Sequence, residues 1–133
     1  MNTPKAPLVE IHYKRPALRQ MPKICSREEA YNYIIGIINL NRMDHKEFFW
    51  VILLNNANRV LGVSELGVGT TSGCLVNVKE VLQLALLSNS SNIVLIHNHP
   101  AGTLAFSESD HKITDKITKA CSYMDIEVLD HLI

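Results

Sequence analysis

Two histidines, a serine and an aspartate stand close together in one segment of this 133-residue chain. One residue separates His97 from His99, and Ser107 precedes Asp110 by three positions. A catalytic zinc site commonly has three protein ligands, often imidazoles with one carboxylate, and keeps a fourth position for water. The spacing therefore predicts a hydrolytic metal site in which His97, His99 and Asp110 bind Zn2+.

A strand and a helix would bring these side chains together. Residues 93–96 are apolar and mostly β-branched, and polar residues precede them, which predicts a buried strand. Side chains two apart on a strand share a face, so both imidazoles at its end could reach one ion. Ser107 is a typical N-cap, so Asp110 is expected in the first turn of the next helix, facing the preceding loop.

Each part of this pattern also has a purely structural interpretation. Histidines near the end of a strand are usually only hydrogen-bonded, and His-x-His alone is a weak signal. Ser107 with Asp110 is also what a capped helix shows without any metal. The combination, in this order after a buried strand, is what favours a metal site.

The pattern resembles the JAMM metalloprotease family, also called JAB or MPN+ domains. Within that family, the run His97-Asn98-His99-Pro100 and the segment 129–133 resemble the bacterial RadC proteins, traditionally labelled as DNA repair proteins. The resemblance extends from about residue 26 to residue 133. It implies an α/β fold with a mixed β-sheet flanked by helices on both faces, the JAB/MPN (cytidine-deaminase-like) architecture.

The resemblance also implies a catalytic glutamate on an earlier strand, outside the ligand set. Glu65 is the predicted base, because residues 60–66 look like such a strand and a Gly69-Thr70 turn follows, as in RadC proteins. Without the resemblance, Glu65 would be interpreted as a solvated carboxylate at the end of a half-buried strand. Glu108 is the weaker candidate, since its charge suits the N-terminus of the predicted helix.

Further residues are expected to support the ligands and the reaction. Zinc lowers the pKa of water toward about 7 and polarises a scissile carbonyl. The resemblance implies that Ser107 donates a hydrogen bond to the developing oxyanion. Asp130 and His131 are expected behind the ligands, without binding the metal themselves. The expected reaction is metal-assisted hydrolysis of an amide bond.

Helices and strands are predicted to alternate along the chain. Ser26 and Glu29 form a capping box that should open a helix to about Leu40. Strands are predicted over residues 48–54 and 60–66, joined by a turn over 55–59. Asn77 with Glu80 is expected to open a second helix through Leu87. The strand before His97, a helix over about 107–123 and a last strand from Ile126 complete the order.

Composition predicts one domain over residues 26–133, preceded by an extended N-terminal arm over 1–25. The arm contains prolines and an excess of basic residues. Residues 8–13 are predicted to form an edge strand beside the domain, which is preferred over contact with an anionic partner. In RadC proteins the last strand continues beyond the position of Ile133. The resemblance therefore implies that this sequence could be truncated at its C-terminus.

Charge and cysteine content bear on nucleic-acid binding and on the cellular compartment of the protein. Basic and acidic residues number 13 each, so no overall charge favours nucleic acid. Cys25, Cys74 and Cys121 are widely spaced without a Cys-x-x-Cys pair, which fits reduced thiols better than disulfides or a zinc finger. Their expected role is to fill the core. Neither a membrane span nor a secretory signal is predicted, which indicates a cytoplasmic protein.

The match to RadC proteins has departures. Ala101 and Phe106 stand where serine and proline are usual, and Val78-Lys79-Glu80 replaces Pro-Arg-Glu. None of these changes removes a proposed ligand. The helix-hairpin-helix segment of full-length RadC proteins has no counterpart in the sequence, so the chain resembles a short form.

Three classes of function stay open at this point. The first is a zinc metallopeptidase or isopeptidase acting on an unknown protein or peptide. The second is a nucleic-acid accessory protein associated with DNA repair, which would bind through the basic arm. The third is a metal-binding scaffold without turnover. The substrate and the oligomeric state do not follow from the sequence.

Overall fold

A four-stranded mixed β-sheet forms the centre of the computed structural model, which describes residues 3–42, 44–68 and 76–133. Its strands lie in the order β2-β1-β3-β4. β1 is antiparallel to both of its neighbours, whereas β3 and β4 are parallel. The strands are β1 (Phe48–Leu54), β2 (Val60–Val68), β3 (Asn92–His97) and β4 (Glu127–Leu132).

β1 is buried along its whole length because both faces of the sheet are covered. Phe48, Trp50 and Ile52 pack on one face with apolar residues of α1 (Arg27–Ile35). The residues between them pack on the other face against α2 (Val78–Leu87) and α3 (Glu108–Ser122). A strand buried on both faces needs a continuous apolar sequence, and this one has it. The predicted α/β fold with helices on both faces is confirmed.

The helices begin at the predicted capping residues. The Ser26 hydroxyl accepts a hydrogen bond from the Glu29 amide, and the Asn77 side chain accepts one from the Lys79 amide. α1 ends at Ile35, however, and not near Leu40 as predicted. Gly36 follows its last turn, and a short 3-10 helix occupies Leu40–Arg42. Glycine has a low helix propensity, which explains the earlier end.

The N-terminal arm has no strand over residues 8–13, so the predicted edge strand is wrong for this segment. Leu8, Val9 and Ile11 are exposed. The Tyr13 hydroxyl nevertheless donates a hydrogen bond to the Leu61 carbonyl of β2, at 2.7 Å. The arm therefore contacts β2 through Tyr13 without forming a strand over residues 8–13.

Two sequence-based predictions lie outside the described residues: the Gly69-Thr70 turn and the environment of Cys74. Cys25 and Cys121 are free thiols. Cys121 is buried in the core as predicted, whereas Cys25 is exposed, so the prediction of core filling is wrong for Cys25. Within the described part of the chain, no helix has the length and apolar character needed to cross a membrane.

Candidate metal centre

His97 and His99 meet at the end of β3. His97 is the last residue of this strand, pairs with Phe49 of β1 and is buried. The two imidazole rings lie edge to face with centroids 4.6 Å apart. Their Nε2 atoms are 2.7 Å apart, so both rings point the same nitrogen at one location. The predicted convergence of the two imidazoles is what the structure shows.

A turn after β3 fixes the orientation of the His99 ring. Gly102 has a φ of 78°, and its amide donates to the His99 carbonyl at 2.9 Å. The His99 Nδ1 atom lies 2.7 Å from the Thr103 carbonyl oxygen. A carbonyl only accepts, so Nδ1 has the proton and Nε2 presents a lone pair. This is the tautomer that a metal ligand needs.

The start of α3 brings Asp110 to the two histidines. The Ser107 hydroxyl accepts from the Asp110 amide, and the Asp110 carboxylate accepts from the Ser107 amide, which completes a capping box. Asp110 Oδ2 is 3.1 Å from His99 Nε2. Asp110 Oδ1 is 3.3 Å from His97 Nε2. Ser107 thus lies beside the cluster through its bonds to Asp110.

Glu47 completes the cluster, and sequence reasoning missed it. Its Oε1 atom lies 3.5 Å from His99 Nε2 and 3.8 Å from His97 Nε2. One ligand atom from each of Glu47, His97, His99 and Asp110 lies within 4.8 Å of the others. Glu47 is only 7% exposed, although it immediately precedes an apolar strand.

A signal for Glu47 was present in the sequence. A charged residue directly before a fully apolar strand is unusual when it is buried. If β1 is antiparallel to β3, the start of β1 must lie beside the end of β3, where the histidines are. The order of the strands in the sheet was the missing information.

Asn98 holds the backbone on both sides of Glu47. Its side-chain amide donates to the Lys46 carbonyl at 2.8 Å, and its side-chain carbonyl accepts from the Phe48 amide at 2.7 Å. Alternation along the chain points this side chain away from the two imidazoles. Asn98 thereby connects the His97–His99 segment to the segment that contains Glu47.

Burial and charge set the protonation of the cluster. Burial raises the pKa of Glu47, and the nearby Asp110 adds to this rise while His99 opposes it. Burial lowers the pKa of His97, which favours its neutral form. Burial alone would raise the pKa of Asp110. Hydrogen bonds from Ser107 and the electrostatic attraction of the two histidines nevertheless hold this pKa below the usual value. A neutral His97 and an ionised Asp110 are in the protonation states that metal binding requires.

Two imidazoles and two carboxylates form a donor set that could hold a divalent metal ion. Tetrahedral ligands at about 2.0–2.1 Å from zinc lie roughly 3.3 Å from one another. The separations between Asp110 and the two histidines, 3.1 and 3.3 Å, are close to that value, whereas the two Nε2 atoms, 2.7 Å apart, are closer together. Among the described residues, the ion pairs of Glu47 and Asp110 involve only histidines and no lysine or arginine. A divalent cation would balance these two carboxylates.

Glu65, the predicted base, lies outside this group of four. Its carboxylate accepts two hydrogen bonds from Arg42, at 3.0 and 3.4 Å. The Arg42 guanidinium also lies over the Phe48 ring, 4.0 Å from its centroid. The competing candidate Glu108 is exposed and pairs with Lys112 one helical turn later. The structure thus brings neither glutamate to the histidines.

His131 and Asp130 differ in their relation to the ligands. His131 is buried, and its Nε2 atom lies 2.7 Å from His97 Nδ1. Asp130 contacts Arg27 of α1 through two hydrogen bonds of 2.7 and 2.8 Å. These bonds to Arg27 lower the pKa of the Asp130 carboxyl. His131 therefore contacts a predicted ligand directly, whereas Asp130 joins α1 to β4.

Comparison with known proteins agrees with this geometry. A family model described as the RadC-like JAB domain matches residues 24–133. A UPF0758 protein of Flavobacterium johnsoniae is 39% identical over 114 residues, which cover 86% of this chain and 48% of that protein. A UPF0758 protein of Chlorobium chlorochromatii is 32% identical over 123 residues, covering 92% and 53%. The chain spans about half the length of these curated relatives.

Proposed function

This chain belongs to the RadC-like JAB domain family, and we propose on that premise that it is a zinc-dependent hydrolase of the metallopeptidase or isopeptidase type. Its substrate would be a protein or peptide. The observation that supports the proposal is the convergence of Glu47, His97, His99 and Asp110 on one location.

The four residues would divide into ligands and a base. His97 and His99 offer Nε2 lone pairs and Asp110 a carboxylate oxygen, which is the three-ligand set of a catalytic zinc site. Glu47 lies farther from both imidazoles than Asp110 does. Its raised pKa suits a group that must accept and return a proton near neutral pH. We therefore assign the role of base to Glu47 in place of Glu65.

The reaction follows from these positions. When bound, zinc supplies Lewis-acid polarisation of the scissile carbonyl and makes water a stronger acid. Glu47 accepts the proton of the attacking water and then delivers it to the nitrogen of the leaving amine. Ser107 accepts a bond from the Asp110 amide, and its own O–H would donate to the oxyanion as negative charge develops there.

The metal site is tested by zinc content and affinity. Wild-type protein reconstituted with zinc should contain about one zinc per chain. His97→Ala and Asp110→Ala should each abolish this binding, since each removes one of three ligands. The measurement is elemental analysis after desalting, followed by competition with a chromophoric chelator. Zinc binding by Asp110→Ala with wild-type affinity would contradict the ligand set.

The base is tested by a matched pair of glutamate variants. Glu47→Gln should keep zinc and lose hydrolysis, whereas Glu65→Gln should keep both, because the Glu65 carboxylate contacts Arg42 and not the cluster. Each zinc-loaded protein is incubated with a proteome-derived peptide library, and new amino termini are identified by mass spectrometry. The same new termini with Glu47→Gln as with wild type would exclude Glu47 as the base. No new termini with wild-type protein would exclude peptide hydrolysis under these conditions and favour a metal-binding scaffold.

A further inference from the structure

We propose that Thr114 and His131 hold His97 in its Nδ1–H tautomer, so that its Nε2 lone pair is directed at the metal position before any ion binds. This inference rests on the proposed metal site and assigns two positioning residues to it. Neither residue belongs to the group of four potential ligands.

A chain of hydrogen bonds connects His97 to the backbone of α3. His97 Nδ1 lies 2.7 Å from His131 Nε2. The other nitrogen of His131, Nδ1, bonds to the Thr114 hydroxyl. Thr114 in turn donates its hydroxyl proton to the Asp110 carbonyl at 2.8 Å. The last acceptor in the chain thus belongs to the residue that also provides the carboxylate ligand.

Counting protons fixes the direction of these bonds. The Asp110 carbonyl only accepts, so the single hydroxyl proton of Thr114 is used there. His131 Nδ1 must then donate to the Thr114 oxygen, which leaves His131 Nε2 as an acceptor. His97 Nδ1 has the proton for that bond, and His97 Nε2 has none.

The reverse direction would disable the ligand. If Thr114 donated to His131 instead, His131 Nε2 would donate to His97 Nδ1. The proton of His97 would then lie on Nε2, only 2.7 Å from His99 Nε2 and in the place of the metal. The bond from Thr114 to the Asp110 carbonyl therefore selects between a competent and a blocked ligand.

Packing keeps His131 in place for this role. The backbone of His131 pairs with Leu95 in the parallel β3–β4 ladder. The Phe49 and Phe106 rings contact the His131 ring edge-on, with centroid distances of 5.5 and 5.0 Å. His131 is 5% exposed, so solvent has little access to its ring nitrogens. Among the described residues, the ring nitrogens of His131 bond to His97 and Thr114. A buried imidazole with these two partners has few other ways to satisfy both nitrogens.

The test compares two threonines on the same helix. Thr114→Val removes the hydroxyl with little change in shape, and Thr114→Ser keeps it. Thr118→Val is the matched control, because Thr118 makes the same kind of bond, to the Thr114 carbonyl at 2.7 Å, but is exposed, and its hydroxyl takes no part in the hydrogen bonds between Asp110, Thr114, His131 and His97. Nitrogen-15 NMR of the imidazoles, recorded on metal-free protein at about pH 8, reports the tautomer of His97.

We expect the Nδ1–H tautomer of His97 in wild type, Thr114→Ser and Thr118→Val. Thr114→Val should convert a measurable fraction to the Nε2–H tautomer and weaken zinc affinity about 10-fold to 100-fold, as is usual for loss of an outer partner of a metal-binding histidine. Zinc affinity is measured by chelator competition. An unchanged tautomer and affinity in Thr114→Val would overturn the inference.

A second variant separates this role from general stability. In His131→Gln, the amide oxygen can accept from His97 Nδ1 without help from Thr114. Adding Thr114→Val to that background should therefore cost no further zinc affinity. An equal loss in both backgrounds would show that Thr114 acts by another route. If wild-type protein bound no zinc, the proposed function would fail, while the NMR measurement on metal-free protein would still decide the tautomer.

Discussion

The Asn98 side chain lies between two proposed ligands in sequence but forms hydrogen bonds to the backbone on both sides of Glu47. Both bonds are partly buried, and one of their acceptors is the carbonyl of Lys46. A base must lie at a fixed distance from the reacting water, so a small shift of this segment would reduce its effect. The intervening residue of the His-x-His motif therefore helps to position the proposed base, Glu47.

Asn98→Ala should destabilise the protein without removing the ligands. It leaves the Phe48 amide and the Lys46 carbonyl without their side-chain partner, which costs about 1–3 kcal/mol of unfolding free energy. Zinc content should stay at about one per chain, and cleavage of the peptide library should fall. Urea unfolding and elemental analysis measure the first two effects. Wild-type stability in this variant would show that the two bonds contribute nothing.

Three of the four clustered residues could be predicted from the sequence, and the fourth could not. His97, His99 and Asp110 are close in sequence, and local rules for strands and helix caps place them near one another. Glu47 reaches them only through the antiparallel pairing of β1 with β3. Local rules do not give strand order, so Glu65 and Glu47 could not be separated by periodicity.

At the level of elements, the first turn of α3 combines two tasks. Its capping box satisfies amides at the helix start, and the same Asp110 carboxylate faces the two imidazoles. The Ser107 amide bonds to Asp110 Oδ2, which restricts the rotation of the carboxylate. Helix capping thus also orients a proposed ligand.

Ser107→Ala should lower both stability and zinc affinity. Loss of an N-cap hydroxyl typically costs about 0.5–2 kcal/mol. Here it also loosens the first turn that positions Asp110, although the amide of residue 107 can still bond to the carboxylate. Ser26→Ala is the control, because Ser26 makes an equivalent bond at the start of α1, 3.1 Å from the Glu29 amide. The control should lose similar stability in thermal unfolding and retain zinc affinity. Equal zinc affinities in the two variants would refute a role for the α3 cap in ligation.

Prediction of whole elements succeeded where the pattern was strong and local. The apolar run of β1 and the capping residues of all three helices were identified from sequence. The end of α1 was not, because apolar residues continue beyond Gly36 and imitate a longer helix, although Ile37 and Leu40 are exposed. Residues 8–13 similarly resemble a strand in sequence, but they form none in the structure. They contact β2 through a hydrogen bond from the Tyr13 hydroxyl.

At the scale of the whole molecule, the buried histidines make stability depend on pH. Burial, with the positive charge that His97 would acquire nearby, lowers the pKa of His131 from 6.5 to about 3. The unfolded chain therefore binds a proton between these values that the folded chain excludes. The contribution of His131 to stability is complete above about pH 6.5 and declines as pH falls, by up to about 1.4 kcal/mol per pH unit.

Metal-free wild type should accordingly lose more stability than His131→Gln as pH falls from about 7.5 to 5. The glutamine has no proton to gain, so the difference between the two curves isolates the histidine. Urea unfolding in the presence of a chelator gives both curves. Parallel curves over this interval would contradict a neutral, buried His131.

Two proposed ligands, His99 and Asp110, lie on either side of residues 100–106, a segment without helix or strand in which Leu104 is 85% exposed. An ion shared by His99 and Asp110 would act as a cross-link that closes this loop and restricts the unfolded chain. Chelation would release the cross-link and expose the loop to cutting by an added protease. The side chains proposed to hydrolyse other polypeptides would in this way also protect a loop of their own chain from proteolysis.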